Sequence, residues 1–216
     1  MTAEGWSRIG FIEAPVCDGC SLPFDYDLGA GVRCPACEAR PRAFARARAA
    51  CLYDDHSRDL ILQFKHADRL DLAKLFSLWL ARSADELIEE CDAVVPVPMH
   101  PFRLIRRRYN QAAEIARPVA RRFGLAYWPG ALKRNRSGES QAGKSGAGRR
   151  RAVKGAYESP SGWEKRLAGK RILLVDDVMT TGSTAEACAK ALLKAGAVQV
   201  NLAVIARVRE TGGVSI

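Results

Sequence analysis

The 216-residue chain is 48% hydrophobic and carries 34 Lys and Arg against 24 Asp and Glu, a net charge of +10. That length suits one full α/β domain with a small appended module, and the charge calls for an anionic partner, nucleic acid or polyphosphate metabolite alike. The longest apolar runs, residues 171–178 and 198–208, fall short of the roughly 20 residues of a membrane helix, and the first residues lack the basic start and apolar stretch of a secretory signal; no membrane insertion is expected, and the cytoplasm is the expected location.

In chain order, the first chemistry-bearing feature is Cys17-x-x-Cys20 and Cys34-x-x-Cys37, separated by 13 residues. Disulfides are rare in a reducing compartment. Two such knuckles instead bring four thiolates around one tetrahedral Zn²⁺, helped by the turn-forming Asp18-Gly19 and small Pro35-Ala36. An iron–sulfur cluster and four unligated thiols are the alternatives. Four protein ligands leave no open position, so the zinc would be structural and would stabilise a segment too small for its own core. Residues 1–50 are assigned to this zinc-ribbon-like module and 51–216 to the larger domain. Cys51, Cys91 and Cys188 sit in apolar or helical contexts and read as small buried hydrophobes.

Residues 58–64 and 72–80 read as helices, with Leu72, Leu75, Phe76, Trp79 and Leu80 at the spacing of one buried face. Ser83-Ala84-Asp85-Glu86 has the capping-box form and predicts a short helix through Leu87 and Ile88. Residues 93–98, an apolar run closed by Pro96 and Pro98, predict a buried strand ending in a loop. Residues 110–123 predict a helix stopped by Gly124 and kinked or interrupted by Pro118. Residues 133–154 carry eight Lys and Arg against Glu139 alone, a net charge of +7, and are rich in Gly and Ser. They predict a mobile cationic loop able to close over pyrophosphate or to track a nucleic-acid backbone. Arg134, Arg136, Arg149, Arg150 and Arg151 are the candidate contacts to single-stranded DNA. Residues 170–177, 183–195 and 198–208 then read as strand, helix and strand, the grammar of a parallel sheet whose ligands lie at the carboxyl ends of its strands.

The most informative segment runs from Ile172 to Thr184. A buried strand delivers the paired carboxylates Asp176 and Asp177, which can accept hydrogen bonds from two vicinal ribose hydroxyls. Thr180, Thr181, Gly182, Ser183 and Thr184 follow with hydroxyls, an unhindered glycine and the amides of a helix start, all suited to a phosphate dianion. Ser183 and Glu186 also fit a capping box.

This segment resembles the phosphoribosyl-pyrophosphate motif of type I phosphoribosyltransferases. Together with the four cysteines, Tyr53-Asp54, Phe64-Lys65, Pro96-Val97-Pro98-Met99-His100-Pro101-Phe102-Arg103, Tyr109-Asn110-Gln111, Arg134-x-Arg136, Gln141, Arg149-Arg150 and Gly155-Ala156-Tyr157, it resembles the ComF family, phosphoribosyltransferase-like proteins linked to competence and DNA uptake. The resemblance implies a parallel sheet flanked by helices and a 5-phosphate held by residues 180–184. It further implies ribose hydroxyls along Asp176 and Asp177, Mg²⁺ carried on phosphoribosyl pyrophosphate, and a pyrophosphate loop at Pro98, Met99, His100 and Arg103. The chain departs from the family pattern at Arg108, where a glycine is usual, and at Gly138, Lys144 and Ala152. The implied role is in DNA uptake or nucleotide metabolism, and three functions are compatible with these residues: a Mg²⁺-dependent transferase acting on an acceptor the sequence does not name, a single-stranded-DNA-binding accessory of DNA uptake that acts with DNA-uptake proteins and keeps the pocket as a non-catalytic sensor or docking point, and a regulator that binds phosphoribosyl pyrophosphate without catalysis.

Overall fold

The structure is a computed structural model that describes residues 6–66, 69–100, 104, 107–135 and 155–209. Strand β6 (Arg171–Met179) organises it. Successive strand residues point to opposite faces, so Ile172 and Leu174 enter one core while Leu173 and Val175 enter the other. A strand that is apolar on both faces must be covered on both, which places it inside a parallel sheet.

That sheet has the order β1-β7-β6-β2-β3, with β1 (Ala47–Leu52), β2 (Ala93–Pro96), β3 (Ala126–Tyr127) and β7 (Gln199–Arg207), all parallel. In chain order the helices are α1 (Pro35–Ala39), α2 (Asp55–His66), α3 (Asp71–Ser83), α4 (Asp85–Glu89), α5 (Gln111–Phe123), α6 (Glu164–Leu167) and α7 (Ser183–Lys194). Leu72, Phe76, Trp79 and Leu80 of α3 pack with Ile115 and Val119 of α5 against one face, as the helical spacing predicts. Cys188, Ala189 and Leu192 of α7 cover the other face beside Phe44 and the four N-terminal cysteines. Cys51, Cys91 and Cys188 are buried. Strand β1 crosses the division expected at residue 50.

From β2 the chain crosses through α5 to β3 on one side; from β6 it crosses through α7 to β7 on the other. The two connections diverge between β2 and β6, and a crevice opens at the carboxyl ends of strands at such a switch point. Both segments singled out in the sequence, residues 96–100 and 176–184, lie there.

Four local expectations are corrected. The strand expected over 170–177 does not stop at Asp177, because β6 runs on to Met179. Helix α5 continues through Pro118 without interruption. The capping box at Ser83 does not form: Ser83 closes α3 with its hydroxyl on the Leu80 carbonyl, and Glu86 turns to Arg46 and Arg48 instead. Lys133 and Arg134 do not belong to a loop, since β4 (Lys133–Arg134) pairs antiparallel with β5 (Tyr157–Glu158). Among the described residues, no helix is long and apolar enough to cross a membrane.

Candidate phosphoribosyl pocket and metal centre

At the switch point lies a pocket of about 230 Å³ lined by Lys65, Val97, Pro98, Met99, Arg107, Asn110, Gln111, Arg134, Tyr157, Asp176, Asp177 and Thr184 among others. Asp176 and Asp177 enter it from the end of β6. The Asp176 carboxylate accepts the Asp177 backbone N–H at 2.9 Å. Burial and the neighbouring Asp177 charge push the Asp176 carboxyl up to about 8. Asp177 is held by Lys65, whose Nζ lies 2.9 Å from Oδ2.

The sequence Tyr109-Asn110-Gln111 acquires a role from these neighbours. The Tyr109 hydroxyl donates to the Phe64 carbonyl, fixing the turn of α2 that presents Lys65. Asn110 caps α5 by accepting the Ala112 N–H at 3.1 Å, while its amide donates 3.0 Å to the Val97 carbonyl and anchors the end of β2. Gln111, 1% exposed, points its side chain into the pocket wall. Tyr109 packs against Phe64 as an ordinary core-edge tyrosine, with ring centroids 6.1 Å apart. Arg108, just before this motif, has φ of 63°, the left-handed conformation that glycine adopts freely.

Two donors on the pocket wall, Gln111 Nε2 and Arg134 Nε, are buried without a hydrogen-bond partner among the described residues. Such atoms cost about 1–3 kcal/mol each when unsatisfied, a cost that a hydrogen-bond acceptor in the pocket would relieve. Arg134, expected on a nucleic-acid-binding loop, therefore lines the pocket, with its guanidinium 5.6 Å from the Tyr157 ring centroid.

Beyond Asp177 the chain turns through Thr180 and Thr181 to Gly182, whose φ of 72° opens α7. The first helical bond runs from Glu186 N to Gly182 O, which leaves the amides of Ser183, Thr184 and Ala185 without helical partners. Free amides at the positive end of a helix are an arrangement that suits an anion. The Thr181 and Ser183 hydroxyls lie 2.8 Å apart. The Ser183–Glu186 capping box does not form, because Glu186 accepts the Ala43 N–H at 2.7 Å and pairs with Lys190. Thr184 lines the pocket, Ser183 lines a neighbouring groove, and Thr180 is exposed. Pro98 and Met99 line the pocket, whereas His100 is 2% exposed and does not. Arg103, Arg136, Arg149, Arg150 and Arg151 lie outside the described residues.

On the far side of α7, Cys17, Cys20, Cys34 and Cys37 are buried with all four Sγ atoms within 4.8 Å of one another. Cys20 Sγ and Cys34 Sγ are 3.8 Å apart, close to the ~3.8 Å edge of a tetrahedron of thiolates at about 2.3 Å from Zn²⁺. Close approach is possible because residue 19 is glycine: a Cβ there would meet Cys37 at 3.2 Å. The Cys34 N–H and the Arg207 guanidinium donate to Cys17 and Cys20 sulfurs at 3.1 and 3.3 Å. The hydrogen bond that the Cys17 thiol donates to Cys20, together with burial, pushes Cys17 up to about 12, and burial does the same for Cys37. Four buried thiols ionise together only around a cation, and this donor set fits a soft divalent metal.

Comparison with known proteins places these features in context. Residues 110–215 match the model of a phosphoribosyl transferase domain. The chain is 29% identical over 202 residues to the DNA utilization protein YhgH of Escherichia coli, a match covering 91% of this chain and 86% of that protein. Competence protein F of Haemophilus influenzae is 34% identical over 116 residues, which cover 54% of this chain and 50% of that protein. Adenine phosphoribosyltransferase of Kineococcus radiotolerans is 38% identical over 103 residues, covering 46% and 51% of the two chains.

Proposed function

Because the chain is a phosphoribosyltransferase-like protein of the ComF family, we propose that its switch-point pocket binds phosphoribosyl pyrophosphate with Mg²⁺ and that the protein serves DNA uptake or the use of incoming DNA. The observation that carries this reading is the pair of unpartnered donors, Gln111 Nε2 and Arg134 Nε, on the wall of a pocket that also holds Lys65 and the two acids.

In this reading the amides and hydroxyls of residues 180–184 bind the 5-phosphate, and Asp176 and Asp177 accept hydrogen bonds from the ribose hydroxyls. Lys65, Arg134 and the backbone at Val97–Met99 face the pyrophosphate. Transfer breaks the bond between the anomeric carbon and pyrophosphate, whose oxygen keeps the electron pair, while an acceptor lone pair forms the new bond. The fixed cations stabilise the charge that develops on the leaving group. Asp176 and Asp177 are the carboxylates that would hold Mg²⁺ brought by the ligand, which would supply further charge neutralisation. Zn²⁺ on Cys17, Cys20, Cys34 and Cys37 makes residues 1–50 a structural module on the transferase-like part, 51–216.

Calorimetric titration with phosphoribosyl pyrophosphate plus Mg²⁺, and separately with ribose 5-phosphate and with pyrophosphate, tests the assignment. The whole ligand is expected to bind more tightly than either fragment; no gain over the better fragment would refute a pocket that engages both ends.

A second reading, a single-stranded-DNA accessory that uses the pocket as a sensor, is favoured by one observation. A groove of about 390 Å³ runs beside α7 from Ser183 to Lys194, lined by Arg40, Arg42, Lys190 and Lys194 against Glu186 alone among acids. Its cations and those of residues 133–154 suit a phosphodiester backbone.

A further inference from the structure

We propose that Arg42, supplied by the four-cysteine module, is a positioning residue of the 5-phosphate loop, so that the module forms part of the phosphate site. This rests on the phosphate-loop assignment made above. Arg42 follows the fourth cysteine by five positions, and its Nη1 donates 3.0 Å to the Thr181 carbonyl, 139 residues away in sequence. The neighbouring Ala43 N–H donates 2.7 Å to Glu186 in the first turn of α7. The loop is thus held from outside at two points, one on each side of Gly182.

The Thr181 carbonyl is a consequential point to hold. In a trans peptide the carbonyl of one residue and the N–H of the next point in opposite directions. A guanidinium that keeps Thr181 O on the module side therefore keeps the Gly182 N–H turned away from the module. A flip of this peptide would turn a carbonyl, which repels phosphate, toward the place of an N–H, which binds it. Gly182 makes that flip easy, since residue 182 has φ of 72° and glycine crosses between backbone regions with little steric resistance. The Arg42 guanidinium also closes over Gly182: a Cβ at that position would lie 3.5 Å from Nη1. The restraint lies next to the most permissive residue of the loop.

The module that presents Arg42 is itself tied to the end of the sheet. Arg207, the last residue of β7, donates 2.7 Å from Nε to the Cys20 carbonyl, and Val208 N bonds the Met179 carbonyl at 2.9 Å, just before the phosphate loop. Arg42 thus acts from a base fixed to the strands that carry the site, and it acts through the backbone of Thr181.

The test compares wild type, Arg42→Ala and Arg42→Lys in affinity for ribose 5-phosphate and for inorganic pyrophosphate, at low and high salt, with bound metal and thermal midpoint measured for each protein. We expect Arg42→Ala to weaken ribose 5-phosphate binding about tenfold, the worth of a charge-assisted hydrogen bond. Pyrophosphate affinity, metal content and midpoint should hold, the loss should persist at high salt, and Arg42→Lys should recover most of it. Unchanged ribose 5-phosphate affinity in Arg42→Ala overturns the proposal. So does a loss that vanishes at high salt, which marks long-range attraction alone, or a parallel loss of both ligands with the metal, which marks a structural role. If Arg42→Ala does not fold, Arg42→Lys decides: wild-type affinity at wild-type metal content supports the clamp, and a selective failure to bind ribose 5-phosphate overturns the claim that one donor to Thr181 suffices. Wild-type protein that ignores ribose 5-phosphate overturns the pocket assignment itself, and that outcome is visible before any variant is made.

Discussion

The Lys65 ammonium lies 2.9 Å from the Asp177 carboxylate, joining the last turn of α2 to the end of β6 across the mouth of the pocket. Both side chains are mostly shielded, at 17% and 20% exposure, so the pair is stronger than a surface ion pair and keeps a cation beside the site. Tyr109 holds the carbonyl of the preceding residue, Phe64, which fixes the turn that carries Lys65. Replacing Lys65 by Met is expected to weaken pyrophosphate binding about tenfold, as loss of one charged hydrogen bond should, and to lower the thermal midpoint, because Asp177 is left as a shielded charge without its partner. Calorimetry with pyrophosphate, paired with thermal unfolding, checks both halves of the statement.

The Asp176 carboxyl gives a pH signature. Its pKa rises from 3.8 in the unfolded chain to about 8 in the fold, through burial and the Asp177 charge. A carboxyl raised on folding contributes stability that is complete below the unfolded value and is lost as pH climbs through the folded value. Wild-type stability should therefore fall between pH 4 and pH 8 relative to Asp176→Asn. The variant should gain on the wild type throughout that range, because only the wild type loses a proton on unfolding there. Denaturant unfolding at several pH values measures the difference; parallel curves for the two proteins would contradict it.

Arg108 holds φ of 63° with a full side chain. Left-handed backbone costs a non-glycine residue about 1 kcal/mol, so Arg108→Gly should stabilise the protein by up to about that amount, read as a shift in denaturant midpoint at constant slope.

The cysteine cluster predicts one Zn²⁺ per chain by elemental analysis. Its removal by a strong chelator should cost about 3 kcal/mol or more of stability, because the metal supplies folding energy the small module lacks. Full stability without metal would contradict a structural centre.

For the nucleic-acid reading, replacing Arg40, Lys190 and Lys194 together by Ala should reduce affinity for single-stranded DNA. The slope of log affinity against log salt should shrink by about 0.7 for each lost phosphate contact. Arg149, Arg150 and Arg151, replaced together, form the companion variant. Wild type that fails to retain DNA at low salt would remove this reading.

The parts of the fold legible in the sequence are those encoded by neighbours. Ile172 to Thr184 announces strand, acids, phosphate loop and helix in order because each part depends on adjacent residues, and the two Cys-x-x-Cys knuckles are legible for the same reason. What escapes is set by partners distant in sequence. Ser83–Glu86 and Ser183–Glu186 both have the form of a capping box, yet neither forms: Glu86 is taken by Arg46 and Arg48, and Glu186 by Ala43 and Lys190. Tertiary partners outcompete a local cap worth about 1 kcal/mol. Lys65 is marked in the sequence only within the Phe64-Lys65 pair of the family resemblance, and nothing local announces Asp177 as its partner. Arg134 reads as a loop cation until its strand pairing with Tyr157 places it on the pocket wall.

Ligand binding in the pocket depends on its two acids. Phosphoribosyl pyrophosphate with Mg²⁺ is titrated calorimetrically into wild type and into the double variant Asp176→Asn, Asp177→Asn, whose strand packing rests on Leu173, Leu174 and Val175. The expected result is saturable binding at one site per chain in wild type, abolished in a double variant that still folds; equal affinity in the two proteins, or no heat in wild type, would contradict the central claim.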